Sequence, residues 1–92
     1  MDETLKTISD NISFLRKNTR TVSANGKTYR LTQKQLGQFL GVTEQQISKF
    51  ELCVNQVSAL QLFRLSKFFG ISPARFYDNS LRDNIFVKQI NI

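Results

Sequence analysis

The sequence contains no histidine and a single cysteine, Cys53. Histidine is the commonest general base and metal ligand near neutral pH, and a lone thiol forms neither an intrachain disulfide nor a multi-cysteine zinc site. Acidic residues are also scarce, with seven Asp and Glu against thirteen Lys and Arg. No paired-carboxylate site for acid–base chemistry stands out, and no GxxxxGKS/T phosphate loop occurs. The longest uncharged apolar-rich stretch, around Phe68–Ile71, falls far short of the roughly 20 residues a membrane span requires. The start, Met1-Asp2-Glu3, is acidic rather than signal-like. These absences argue against an enzyme, a cofactor, a small-molecule substrate, a membrane span and export, so a cytoplasmic binding protein is expected.

Against the absences stand a net charge of +6 and an ordinary globular composition, 40 % hydrophobic and 22 % charged. Such a chain folds rather than staying disordered, and 92 residues fit one domain. The domain is expected over residues 1–92, with its core at 5–78 and a tail at 79–92. The basic balance favours a polyanionic partner, nucleic acid first; the competing reading is that it serves solubility alone.

Local signals divide the chain. Leu5, Ile8, Ile12 and Leu15 recur at helical spacing and predict an amphipathic helix ending near Arg16 to Asn18. Residues 21–31 read either as a small β-hairpin, Thr21–Ala24 with Lys27–Leu31 around a two-residue Asn25-Gly26 turn, or as a loop. Thr32, Thr43 and Ser58 are each followed three residues later by glutamine, the capping-box signature, so helices are expected near 33–40, 44–52 and 59–69. Gly41 and Gly70 stand where left-handed residues end helices, and Ser72-Pro73 opens a further helix at 73–78. Ile85-Phe86-Val87, Ile90 and Ile92 are strand-like and could pair with the hairpin or with a partner subunit. Phe39, Phe50, Phe63, Phe68, Phe69, Phe76 and Tyr77 read as core rather than as base-stacking groups.

Between Gln33 and Leu52, Leu36, Leu40, Val42, Ile47 and Phe50 are apolar, while Gly37 and Gly41 occupy positions where bulk would interfere. Two short helices crossing steeply over a brief turn require this arrangement, a helix-turn-helix; an ordinary αα-hairpin is the alternative. The segment LTQKQLGQFLGVTEQQISKFE resembles the helix-turn-helix of the phage repressor and Cro family, the XRE-like bacterial regulators. VNQVSALQLFRLSKFFGISPARFYD is similar to that family's fourth and fifth helices. The likeness covers residues 31–78 strongly and 5–20 loosely. It implies an all-α, compact five-helix, lambda-repressor-like domain that binds double-stranded DNA, usually as a homodimer on a palindromic operator, with its third helix in the major groove.

On a helix starting at Glu44, burial of Ile47 and Phe50 leaves Gln45, Ser48, Lys49 and Leu52 facing away. The resemblance carries base contact to Glu44, Gln45 and Lys49. It makes Gln33 a phosphate-clamping glutamine, in agreement with the free amides of a helix start. Glu44 has a second reading, in which it only complements the helix dipole. Thr32 and Thr43 combine capping with hydroxyls placed to reach phosphate, whereas Gln46 is expected to return to Thr43. Asn55 matches an asparagine that often precedes arginine in such regulators; here Gln56 replaces the arginine. The family commonly has glycine where Cys53 stands, so a differently built exit turn is expected. Arg16, Lys17, Arg20 and Lys34 would form a backbone footprint if they gather beside Gln33. Lys27 and Arg30 lie on an insertion that is either a basic wing reaching DNA or a dimer contact with the tail. The reading from another class is an interaction module of the same fold, an antitoxin, antirepressor or adaptor using the tail.

Overall fold

The computed structural model describes residues 3–83 and 88–91. The first helix, α1 (Glu3–Lys17), buries Ile8, Ile12 and Leu15 along one face. It ends where the Asn18 side-chain amide donates to the Phe14 carbonyl (2.8 Å), and the chain passes directly into strand β1 (Thr19–Val22). Thr19 and Thr21 face inward and are buried, and the Thr19 hydroxyl donates to the Leu15 carbonyl (2.8 Å). β-Branched residues suit such a half-buried ribbon.

Strand β2 (Thr28–Arg30) runs antiparallel to β1, and strand β3 (Lys88–Asn91) flanks β1 on the other side in parallel, with Thr19 opposite Lys88 and Val22 opposite Asn91. This sheet corrects the all-α expectation and pairs the tail within its own chain. Ile85, Phe86, Val87 and Ile92 lie outside the described residues. The expected hairpin is present, but its strands are Thr19–Val22 and Thr28–Arg30 and its turn is longer. The Ser23 amide donates to the Lys27 carbonyl (2.9 Å), enclosing Ala24, Asn25 and Gly26. Within that loop only Gly26, at φ 81°, takes positive φ. Asn25 instead accepts from the Lys27 amide with its side chain (3.1 Å), so one left-handed residue suffices where a two-residue turn needs two.

The capped helices form where the hydroxyl residues place them: α2 (Gln33–Leu40), α3 (Glu44–Glu51) and α4 (Ala59–Phe69). Capping boxes close at Thr32 and Ser58; at Thr43 the hydroxyl accepts from the Gln46 amide (3.1 Å), but the expected return bond from the Gln46 side chain is not made. The expected fifth helix is instead a 3-10 turn, Pro73–Tyr77, followed by a second at Asn79–Asp83. Ser72 makes no side-chain cap there, and Phe76 is the only side chain of the first turn that is buried. One anchor is not a repeating stripe, and a short i→i+3 turn is enough to place it. Asn11 of α1 holds that turn by donating to the carbonyls of Phe76 (2.9 Å) and Asp78 (3.0 Å). Four α-helices, rather than five, therefore stand among the described residues.

Leu31, Leu36, Ile47, Phe50, Leu65 and Phe76 join the α1 residues in one core. Not every aromatic enters it: Phe39, Phe63 and Tyr77 are exposed. Phe39 covers itself partly against the half-buried Phe68 ring (5.0 Å between centroids), and Phe63 lies under the Lys67 ammonium (5.4 Å). Apolar residues on α4 thus extend beyond the side that the core can cover.

Candidate nucleic-acid interface

The α2–α3 crossing depends on Gly37. A Cβ there would stand 2.7 Å from the Val42 carbonyl oxygen, closer than carbon and oxygen can approach, so α2 meets the turn only through glycine. Gly41, at φ 74°, ends α2 with its amide on the Gly37 carbonyl, and Thr43 restarts the chain as the α3 cap. Ile47 and Phe50 are 0 % exposed, which fixes the rotation of α3. Gln45 and Lys49 consequently point to solvent, one helical turn apart, with Glu44 exposed and Ser48 half-buried beside them. Leu52, at 69 % exposure, continues this outward face.

The exit from α3 shows what cysteine does at the family's glycine position. The Val54 amide donates to the Lys49 carbonyl (2.9 Å) and the Cys53 amide to that of Phe50 (3.2 Å). This is a Schellman closure, and it requires a left-handed residue after Leu52. Cys53 supplies it at φ 60°. The expectation of a differently built turn is therefore corrected: the hydrogen-bond closure outweighs the steric cost of a Cβ at positive φ. Asn55 is exposed past this turn. It is separated from the start of α3 by the helix length, roughly 12 Å for eight residues.

Thr32, Gln33 and Glu44 do come together. With Arg16, Arg30 and Leu31 they line a shallow cleft at the amino ends of α2 and α3. Thr32 accepts from the Gln35 amide (3.0 Å) and Thr43 from that of Gln46, and each hydroxyl keeps its proton for another acceptor. The Gln33 side chain behaves differently from a free phosphate clamp, since its Nε2 donates to Glu51 Oε1 (3.1 Å). Glu51 in turn holds Arg16 through two parallel bonds, Nε to Oε2 (2.6 Å) and Nη2 to Oε1 (2.9 Å). The remaining Arg16 nitrogen, Nη1, donates to the Leu31 carbonyl (3.0 Å). Arg16 is therefore a buried strut joining α1, α2 and α3, which corrects its place in the surface footprint.

Neither Glu51 nor its pairing was legible from spacing, because the two partners lie 35 residues apart. Lys17, Arg20 and Lys34 are exposed as expected. Among the described residues, the ion pairs engage Lys6, Arg16, Arg75 and Arg82, leaving Arg20, Lys27, Arg30, Lys34 and Lys49 without a carboxylate. No described group of His, Cys, Asp and Glu could hold a metal ion, and no described helix is long and apolar enough to cross a membrane.

Residues 27–76 match the helix-turn-helix family model. Over 51 residues, or 55 % of this chain, the sequence is 39 % identical to an uncharacterized HTH-type transcriptional regulator of Sinorhizobium fredii, covering 36 % of that protein. Uncharacterized HTH-type transcriptional regulators of Sinorhizobium medicae and Rhizobium meliloti are 34 % identical over 53 residues, 58 % of this chain and 38 % of each relative. The chain thus spans little more than a third of the length of the curated relatives it matches. No solved structure matches it significantly.

Proposed function

This chain belongs to the XRE-like helix-turn-helix family, and on that footing we propose that it is a sequence-specific, double-stranded-DNA-binding transcriptional regulator, a repressor, that reads the major groove with α3. The observation that carries the proposal is the rotation of α3, with Ile47 and Phe50 sealed inward and Gln45 and Lys49 presented outward. Gln45 matches adenine N6 and N7, Lys49 matches guanine O6 and N7, and Glu44 accepts from cytosine N4. Each correct pairing discriminates by about 1–3 kcal/mol. The cap hydroxyls of Thr32 and Thr43 and the first amides of α2 bind backbone phosphates and set the register. Gln33, tied to Glu51, contributes through its main-chain amide and fixed position. Ser48 and Asn55 complete the surface at the side and far end of α3.

The chain acts as a homodimer on a palindromic operator with half-sites about 10 bp apart. The exposed apolar side chains of Leu52, Val54, Leu60 and Phe63 supply surface for a second copy to cover. Its work is binding, with no cofactor, and takes place in the cytoplasm. Selection of bound duplexes from a random pool tests this: a palindromic consensus is expected. Lys49→Ala and Gln45→Ala should each lose preference for it while melting like the parent. An undiminished preference in both variants refutes the assignment of α3.

A further inference from the structure

We propose that the outer face of the small sheet is a second contact with the DNA backbone, in which Arg20 and Arg30 each hold one of two successive phosphates beside the groove read by α3. The inference rests on the DNA-binding reading above and extends it to a part of the fold outside the helix-turn-helix.

Strand register provides the first argument. Arg20 lies directly opposite Arg30, and both are exposed. Side chains so placed have Cβ atoms about 4.5–5.5 Å apart, where like charges repel and a carboxylate would stabilise. None is supplied. The third strand places Gln89 next to Arg20, and the same face continues with Val22, Thr28 and Asn91. Neither arginine takes part in an ion pair among the described residues. A cross-strand pair of unneutralised guanidinium groups costs stability in the free protein and fits an anionic backbone, whose oxygens the planar forks can meet in bidentate fashion.

Position provides the second. Arg30 shares the cleft with Thr32, Gln33 and Glu44, so the sheet face adjoins the amino ends of α2 and α3. The connection is rigid, because only Leu31 separates β2 from the α2 cap. Leu31 is buried, its amide donates to the Thr19 carbonyl (2.9 Å) and its carbonyl accepts from Arg16 (3.0 Å). The arginines are therefore held at a set distance from the reading helix. The tail already pairs with β1 in the same chain, so of the two uses considered for the insertion the structure favours the wing.

Equilibrium binding of the full chain to a selected and a random duplex, measured by fluorescence anisotropy between 50 and 200 mM salt, tests the proposal. Releasing two phosphate contacts per protomer, four in the proposed dimer, in Arg20→Gln/Arg30→Gln should make the slope of log K against log salt shallower by about 3.6. Across that fourfold salt range, the parent dimer should then lose about 150-fold more affinity than the variant. Preference for the selected duplex should not change, Arg20→Lys/Arg30→Lys should keep the parent slope, and the Gln variant should melt no lower than the parent because repulsion is removed. A parent-like slope in the Gln variant overturns the wing, as does a shift in oligomeric state with the slope retained, which would make the pair a subunit contact. The two readings fail separately: a parent that prefers no selected duplex sinks DNA recognition itself, whereas an intact preference with an unmoved slope sinks the wing alone.

Discussion

Replacing Glu51 with glutamine removes one charge from the buried strut at the centre of the candidate interface while preserving its shape. The Arg16 and Glu51 side chains are only 10 % and 6 % exposed, and the guanidinium meets the carboxylate at 2.6 and 2.9 Å. Breaking a buried pair from one side leaves the other charge without compensation and costs about 3–5 kcal/mol. For 92 residues, at roughly 2.1 cal/mol/K each, that corresponds to a melting temperature lower by about 15–25 °C. Arg16→Met combined with Glu51→Leu should recover about half of the loss, because no lone charge remains. A deficit of about 1–3 kcal/mol should persist, since the Leu31 carbonyl loses the Arg16 donor. Thermal and urea denaturation of the parent, Arg16→Met, Glu51→Leu and the double variant yield the coupling energy directly. If Glu51→Gln melts within about 5 °C of the parent, a difference of about 1 kcal/mol, the pair is not the strut described.

Gly37→Ala should destabilise by about 1–2 kcal/mol in urea denaturation, because the Cβ clash with the Val42 carbonyl outweighs alanine's better helix propensity; a more stable variant would contradict the close approach. Cys53→Gly should do the opposite, since it relieves positive φ at the α3 exit, and a net gain of about 0.5–1 kcal/mol is expected after glycine's greater unfolded-state entropy. A lower melting temperature for Cys53→Gly would argue that the thiol packs more productively than the backbone strains. The Ser80 hydroxyl foremost, then the Ser80 amide and the Arg75 guanidinium, hold the Asp78 carboxyl below its ordinary 3.8. A depressed folded pKa contributes stability that is full above the unfolded value and fades as pH falls through the folded one. NMR titration of Ser80→Ala should therefore show the Asp78 pKa raised toward normal, and an unmoved value would refute the cause.

What could be read along the chain is what closes within a few residues. Thr32 with Gln35 and Ser58 with Gln61 locate helix starts, glycines at 41 and 70 locate ends, and the spacing of Ile47 and Phe50 orients α3, because each relation spans a helical turn or less. The same locality gives Gln45 and Lys49 their outward face, since Ile47 and Phe50 lie within the same two helical turns. Other features depend on which surfaces meet after collapse. Arg16 becomes a strut only when α3 brings Glu51 to it, and Gln33 is held only because that carboxylate has an oxygen to share. β3 becomes a strand beside β1 only once the helices have returned the chain to its beginning. Phe39 and Phe63 look like core residues in a helical pattern, yet remain exposed because a small domain offers α2 and α4 too little neighbouring surface to cover every apolar side. Short-range hydrogen bonds and helical periodicity are written in neighbouring residues; burial and long-range charge pairing belong to the assembled packing.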